Sequence, residues 1–241
     1  MDSAHPRRWA TVWRIAWTVL SICVIQGIVC GVAVLPVVVA WMRLDAWLPA
    51  RVAVRATVFS LLIIPSYVAF ALGLMVLSAV ATRVTRVRTP ADTDMRIVEI
   101  GWPLMRWVQY MVAIRVVRVL AGPLFCGSPI WTAYLRLNGA RIGRRVFVNS
   151  LFISDHNLLE FGDDVVIGGE VHLSGHTVDG GVVKTARVRL GHDVTVGLGS
   201  IIDIGVDVGP HSQIGAMSFV PKHTKLPASS LYAGVPVKRL E

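Results

Sequence analysis

Two hydrophobic patterns divide the chain. Up to about residue 82 apolar residues run on in long stretches, whereas from Ile142 to Val220 they recur on a six-residue grid. On that grid an aliphatic or aromatic residue is followed by glycine, as in Ile142-Gly143, Phe161-Gly162, Ile167-Gly168, Leu190-Gly191, Val196-Gly197, Val208-Gly209 and Ile214-Gly215. From Leu190 onward the register never slips, and positions 190, 196, 202, 208, 214 and 220 are all aliphatic. A six-residue period of this kind predicts a parallel β-helix. The aliphatic residue fills the interior, and glycine takes the next corner, where a side chain would crowd the turn. The position two before each aliphatic residue must be small or β-branched to fit inside; Val146, Val165, Val194, Ser200, Val206, Ser212 and Ser218 meet that demand. Residues 131–241 are therefore expected to form an all-β hexapeptide-repeat coil, closed by a tail after Val220.

The front of the chain predicts membrane helices. No charged residue lies between Arg14 and Arg43, or between Arg55 and Arg83. Each gap exceeds the ~20 apolar residues needed to cross a bilayer. Trp9, Trp13, Trp17, Trp41 and Trp47 gather near the ends of the first stretch, as interfacial anchors do. A secretory signal would have an apolar core of only ~7–15 residues and would not be followed at once by a second span. Residues 1–82 thus read as a transmembrane hairpin, with spans at about 15–42 and 56–82.

Composition sharpens this division. The chain is 54% hydrophobic with a net charge of +9. Residues 1–130 hold thirteen Arg against five acids, while residues 131–241 hold eleven Lys or Arg against ten acids. A basic half that is also the apolar half argues for contact with a lipid bilayer and not for nucleic-acid binding. Arg7, Arg8 and Arg14 precede the first span, and Arg83, Arg86, Arg88 and Arg96 follow the second. By the positive-inside rule both termini face the cytoplasm, which puts the repeat domain on the cytoplasmic side of the inner membrane. Three Cys make no disulfide framework, and Cys23 and Cys30 read as small packing residues.

Between these parts lies a connector, residues 83–130. It opens with a basic, polar run from Arg83 to Asp94 and continues as an apolar stretch, Ile97 to Leu120, broken by Pro103, Arg106, Arg115 and Arg118. Those arginines are too closely spaced for a third span and do not share one helical face. The connector is expected to contain an interfacial helix, lying on the membrane surface or against the repeat domain.

One interruption breaks the grid. Leu173 should be followed by aliphatic corners at 179 and 185, yet the register resumes only at Leu190, five residues late. The surplus must leave the coil as a loop, and Gly180-Gly181 favours a turn within it. The faces of a β-helix are structural, so a protruding loop bearing histidine is where chemistry is expected. His176 at its root suits a general base, because imidazole takes up and releases a proton near neutral pH. Its other ring nitrogen needs a carboxylate or a carbonyl. Asp155 lies about one coil earlier and Asp179 is nearer in sequence, so both are candidates. His156, His172 and His192 raise a zinc site as an alternative, but His172 and His192 occupy different places in their phrases and so point to different corners. No metal is expected.

Longer phrases carry a family resemblance. Pro129 to Gly143, Pro-Ile-Trp-Thr-Ala-Tyr-Leu-Arg-Leu-Asn-Gly-Ala-Arg-Ile-Gly, resembles the short helix that leads into the first coil of hexapeptide-repeat acyltransferases. The ending Tyr232-Ala233-Gly234-Val235-Pro236-Val237-Lys238 is similar to the Gly-x-Pro-Ala-Lys closure of that superfamily, with Val237 in place of Ala. Paired spans before the coil resemble the membrane-linked C-terminal unit of poly-ε-lysine synthetase-type peptide synthetases. So does Gly175 to Lys184, a His followed eight residues later by Lys. The resemblance extends to this one unit, and no adenylation or carrier domain is expected within these 241 residues.

The resemblance implies a left-handed coil, a homotrimer, and acyl or aminoacyl transfer from a coenzyme A or phosphopantetheine thioester to an amine or hydroxyl, with no tightly bound cofactor. A carrier protein or adenylation domain would be a partner. It also implies His176 with Asp155 as the catalytic pair, and a donor groove drawn from Lys184, Gly197, Gly199, Lys222, Gly234 and Lys238. The backbone N–H groups near Gly175, Gly197 or Gly199 would serve as oxyanion donors. A γ-carbonic anhydrase-like zinc enzyme and a non-catalytic β-helical scaffold are the alternatives.

Overall fold

The computed structural model describes residues 8–240, so Arg7, counted above among the cations before the first span, lies outside them. Helices α1 (Arg8–Trp47) and α2 (Val52–Val84) have 40 and 33 residues, or roughly 60 and 50 Å at the α-helical rise. They run antiparallel. The Trp41 indole donates to Ser66 Oγ at 2.7 Å and stacks on Phe59, while farther along Ala33 faces Gly73. Arg55 closes the turn on Asp45 at 3.2 Å. Most of their side chains are exposed, Trp9, Val12, Leu61 and Ile64 among them. Both helices are long and apolar enough to cross a membrane.

The connector then forms β1 (Asp94–Arg96), α3 (Trp102–Leu120) and α4 (Gly122–Phe125), and α5 (Pro129–Leu137) leads across its end at residue 130 into the coil. Proline in the first turn suits α3 and α5, since the missing N–H has no helical partner there. Ser128 caps α5 by accepting from Trp131 N. Helix α3 lies between the hairpin and the coil. On one side Tyr67 of α2 donates to Leu120 O at 2.6 Å and Gln109 donates to Ser21 Oγ at 2.7 Å. On the other, Tyr110 donates to Asn138 O at 3.3 Å, and Leu104 and Met105 pack with Met95 and Val183.

The coil has three faces of short parallel strands. One holds β2 (Arg141–Ile142), β4 (Leu159–Phe161), β9 (Val188–Leu190), β12 (Asp207–Val208) and β15 (Lys225–Leu226). The second holds β3 (Phe147–Val148), β5 (Val166–Ile167), β10 (Thr195–Val196), β13 (Gln213–Ile214) and β16 (Leu231–Gly234), with β17 (Val237–Leu240) antiparallel at its end. The third holds β6 (His172–Leu173), β11 (Ile201–Ile202) and β14 (Phe219–Val220). Ile167, Leu173, Val196, Ile202 and Val220 are buried inside it, each burial contributing about 1.5–3 kcal/mol. The interior serines keep their hydroxyls paired, Ser200 donating to Gly215 O at 2.9 Å and Ser212 to Pro227 O at 3.1 Å.

A regular turn takes eighteen residues, from Val196 to Ile214. The first takes nineteen, from Ile142 to Phe161, with a 3-10 turn at His156–Leu158. The next takes twenty-nine, from Phe161 to Leu190. Its surplus leaves the coil as a hairpin, β7 (His176–Asp179) and β8 (Val182–Thr185), and β1 of the connector adds a third antiparallel strand.

The corner glycines have no room for a side chain. A Cβ on Gly162 would stand 2.6 Å from His192 N and 2.8 Å from the Gly191 carbonyl carbon, both backbone atoms of the next turn. Gly162→Ala should therefore destabilise the fold by about 1–3 kcal/mol, the usual cost of overpacking. The check is the denaturant midpoint of the two proteins; an unchanged midpoint would mean that the turns are not held at this spacing.

Candidate active site

The dyad is built where the surplus residues leave the coil. Asp155 has a left-handed backbone, φ 51°, a conformation Asp tolerates better than most side chains. Its carboxylate is fully buried at the coil edge. One turn later Gly175 stacks against it, for a Cβ there would meet the Asp155 side chain at 2.9 Å. His176 follows, and its Nδ1 lies 2.5 Å from Asp155 Oδ2. This contact assigns the proton to Nδ1 and leaves Nε2 as the free nitrogen. The imidazole is partly exposed, 24% against 0% for Asp155. Ser174 Oγ braces the pair, at 3.1 Å from His176 Nδ1 and 3.3 Å from Asp155 Oδ2.

More donors converge on the same carboxylate. Thr89 Oγ1 donates to Oδ1 at 2.6 Å, and Gly175 N and Ser154 Oγ donate to Oδ2 at 3.2 Å each. Burial alone would push the Asp155 pKa up; hydrogen bonds from His176, Thr89 and Ser154 outweigh it, and the carboxyl sits below its ordinary value. Thr89 escaped the sequence reading, because it belongs to the connector and no local pattern places it beside Asp155.

A cleft of about 380 Å³ opens beside the dyad, lined by Trp107, Arg115 and Arg118 of α3 and by Phe152, Ser174 and His176 of the coil. The Trp107 ring meets the imidazole edge-on, with centroids 4.9 Å apart. Its indole N–H is buried without a partner among the described residues, so packing alone holds the ring. His172 stacks on Phe152 at 4.4 Å.

The remaining sequence candidates scatter. Asp179 does not reach His176; it takes Lys184 and Lys222 instead, at 3.2 and 2.8 Å. The N–H groups of Gly197 and Gly199 donate to Ile214 O and Gly169 O within the coil, and Gly175 N donates to Asp155. All three are thus committed and not free to receive an oxyanion. Gly234 N donates to Ser218 Oγ, and Lys238 lies exposed on β17. His156 is buried, its Nε2 near Ile153 O at 3.3 Å, and His192 Nδ1 accepts from Asp163 N at 3.0 Å. Among the described residues no three His, Cys, Asp or Glu side chains converge as a metal site requires.

No family model matches the chain. Over 110 residues it is 29% identical to the delta-poly-L-ornithine synthetase of Acinetobacter baumannii (strain AB307-0294), covering 46% of this chain and 8% of that protein. Over 118 residues it is 33% identical to the galactoside O-acetyltransferase of Escherichia coli (strain K12), covering 46% of this chain and 56% of that protein. It thus spans less than two thirds of either relative. Among solved structures it is similar to a galactoside acetyltransferase in complex with coenzyme A, at 22% identity over 56% of this chain and 81% of that one, with a TM-score of 0.42.

The buried histidine predicts a pH dependence. Burial lowers the His156 pKa from 6.5 to about 4. Between those values the unfolded chain binds a proton that the folded chain does not, so stability falls as pH drops from 6.5 towards 4, by on the order of 3 kcal/mol in all. Asp155 acts with the same sign at lower pH, its contribution being lost as pH falls through its depressed folded value. His156→Gln should flatten the upper window and leave the lower one. Denaturant midpoints measured against pH for both proteins decide this, and coincident slopes would refute it.

Proposed function

We propose that this chain, whose repeat-bearing half belongs to the hexapeptide-repeat acyltransferase superfamily, is a membrane-anchored acyltransferase with His176 as its general base. One observation carries the reading: the Nδ1 of a partly exposed imidazole is held by a buried carboxylate beside a cleft. His176 Nε2 takes the proton of an acceptor amine or hydroxyl as that group attacks the thioester carbonyl. The tetrahedral intermediate then collapses, the C–S bond breaks, and the imidazolium returns its proton to the leaving thiolate. Asp155 stays ionised and stabilises the imidazolium. Thr89 and Ser174 keep the carboxylate and the ring in register.

The donor in this reading is coenzyme A or a carrier-protein thioester. It lies along the later turns, near Gly197, Gly199, Gly234 and Lys238, with Lys184 and Lys222 at their edge; no tightly bound cofactor is required. Leu198, Ile201 and Met217 are exposed apolar side chains on those turns, which supports a trimer in which a neighbour covers them. Left-handed winding belongs to the same superfamily reading. The domain division follows: an anchor at 1–82, a connector at 83–130 and a transferase coil at 131–241. The anchor crosses the inner membrane and the coil faces the cytoplasm. A zinc enzyme gains no support from the scattered histidines, and a mere scaffold has no use for a buried carboxylate with this many donors.

Thiol release from acyl thioesters by the detergent-purified chain tests the mechanism. His176→Ala should lose activity by on the order of 10²–10⁴-fold, the range of general-base catalysis. Asp155→Asn should lower kcat substantially, and Thr89→Val by about tenfold, the worth of one charge-assisted hydrogen bond. Turnover equal in wild type and His176→Ala removes the base assignment. Orientation is checked separately. Lys225→Cys, exposed on the coil, should react with a membrane-impermeant maleimide only from the cytoplasmic side.

A further inference from the structure

Two cations in the cleft have no role in the dyad. Arg115 and Arg118 stand three residues apart on α3, and both line the cleft together with Ser174 and His176. Several cations of the coil find acids, and others, Arg144 and Lys225 among them, form no ion pair among the described residues. Arg141, Arg187 and Arg189 share Glu160, Arg145 takes Asp164, and Lys184 and Lys222 take Asp179. No ion pair among the described residues includes Arg115 or Arg118. The two lie one turn apart on the helix, both lining the cleft; burial lowers the Arg118 pKa, and the Arg115 charge lowers it further. Like charges at this helical spacing repel, and an anion bound beside them would relieve that cost.

We propose that Arg115 and Arg118 form an anion-binding subsite that seats a carboxylate or phosphate of the acyl acceptor beside His176. The assignment rests on His176 being the base. Guanidinium groups present paired donors that match the oxygens of either anion. The cleft, at about 380 Å³, falls in the size range of small-molecule sites, and Met111, Ile114 and Phe152 supply apolar walls for the rest of the molecule. The acceptor is therefore an anionic amine or alcohol. Its charged group is gripped by α3, and its nucleophile faces His176.

The test uses the full chain in detergent, with inorganic phosphate as the first probe and acetate as the second, at constant ionic strength set by chloride. The rate at which diethyl pyrocarbonate modifies His176 is followed by peptide mass spectrometry, with the exposed His211 and His223 as internal controls. Wild type should show saturable, severalfold protection of His176, and the double variant Arg115→Gln/Arg118→Gln should lose it while the controls react as before. The more protective probe tells phosphate from carboxylate. Absent protection, or protection that survives in the double variant, overturns the subsite.

In thiol-release assays the double variant should raise KM for an anionic acceptor on the order of tenfold or more, the scale of charge-assisted hydrogen bonds. KM for the thioester should not change; a rise in the thioester KM alone would hand the arginines to the donor and overturn the proposal. Protection by phosphate in a protein with no turnover keeps the subsite and removes the transferase reading. Turnover without protection does the reverse.

Discussion

Each strand of the coil hydrogen-bonds to the strand one turn on, and that ladder governs the rest of the molecule. A regular turn has eighteen residues. An additional residue kept inside would unpair buried backbone groups, at about 1–3 kcal/mol for each. Surplus chain can only be expelled at a corner. It is expelled twice, at the 3-10 turn after Asp155 and at the hairpin that begins with His176. These two corners lie one above the other, with Gly175 packed on Asp155. The dyad is built from the two places where the repeat fails.

What seals that corner comes from the other end of the chain. Within five residues of leaving α2, the connector places Thr89 on Asp155, and β1 then pairs with β8 of the expelled hairpin. Helix α3 closes over the site with Trp107 against His176. The hairpin helices and the coil share one continuous apolar cluster, from Val29 and Leu74 through Trp131 to Val148 and Leu173. The helical hairpin and the candidate site are thus parts of one packed body, and the end of α2 and the dyad are joined by a short extended segment.

Environment separates histidines that the sequence alone treats alike. His156 and His176 flank the same carboxylate region, yet His156 is enclosed by Tyr110 and Tyr134 with Nδ1 unpaired. Burial holds it neutral. His176 keeps one nitrogen on Asp155 and an edge towards the cleft. The arginine pair on α3 adds positive charge to that cleft, so the candidate site combines a partly exposed imidazole, a fixed carboxylate and two cations with no ion-pair partner among the described residues.

Periodicity alone made the coil legible. The six-residue grid, its glycine corners and the late return of the register at Leu190 follow from what a ladder with a narrow interior accepts, and these are local demands written in every turn. His176 could be singled out because it stands where the surplus begins. Spacing alone leaves its partner open between Asp155 and Asp179, and only the family resemblance favours Asp155. Tertiary structure chose between them, since Asp179 lies three residues along an extended strand, on the opposite face from His176, and is taken by two lysines. Thr89, Trp107, Arg115 and Arg118 were beyond reach for a different reason. Their place depends on how the connector docks across some sixty to ninety residues of intervening chain, and no spacing along a sequence encodes a contact made by packing one element over another.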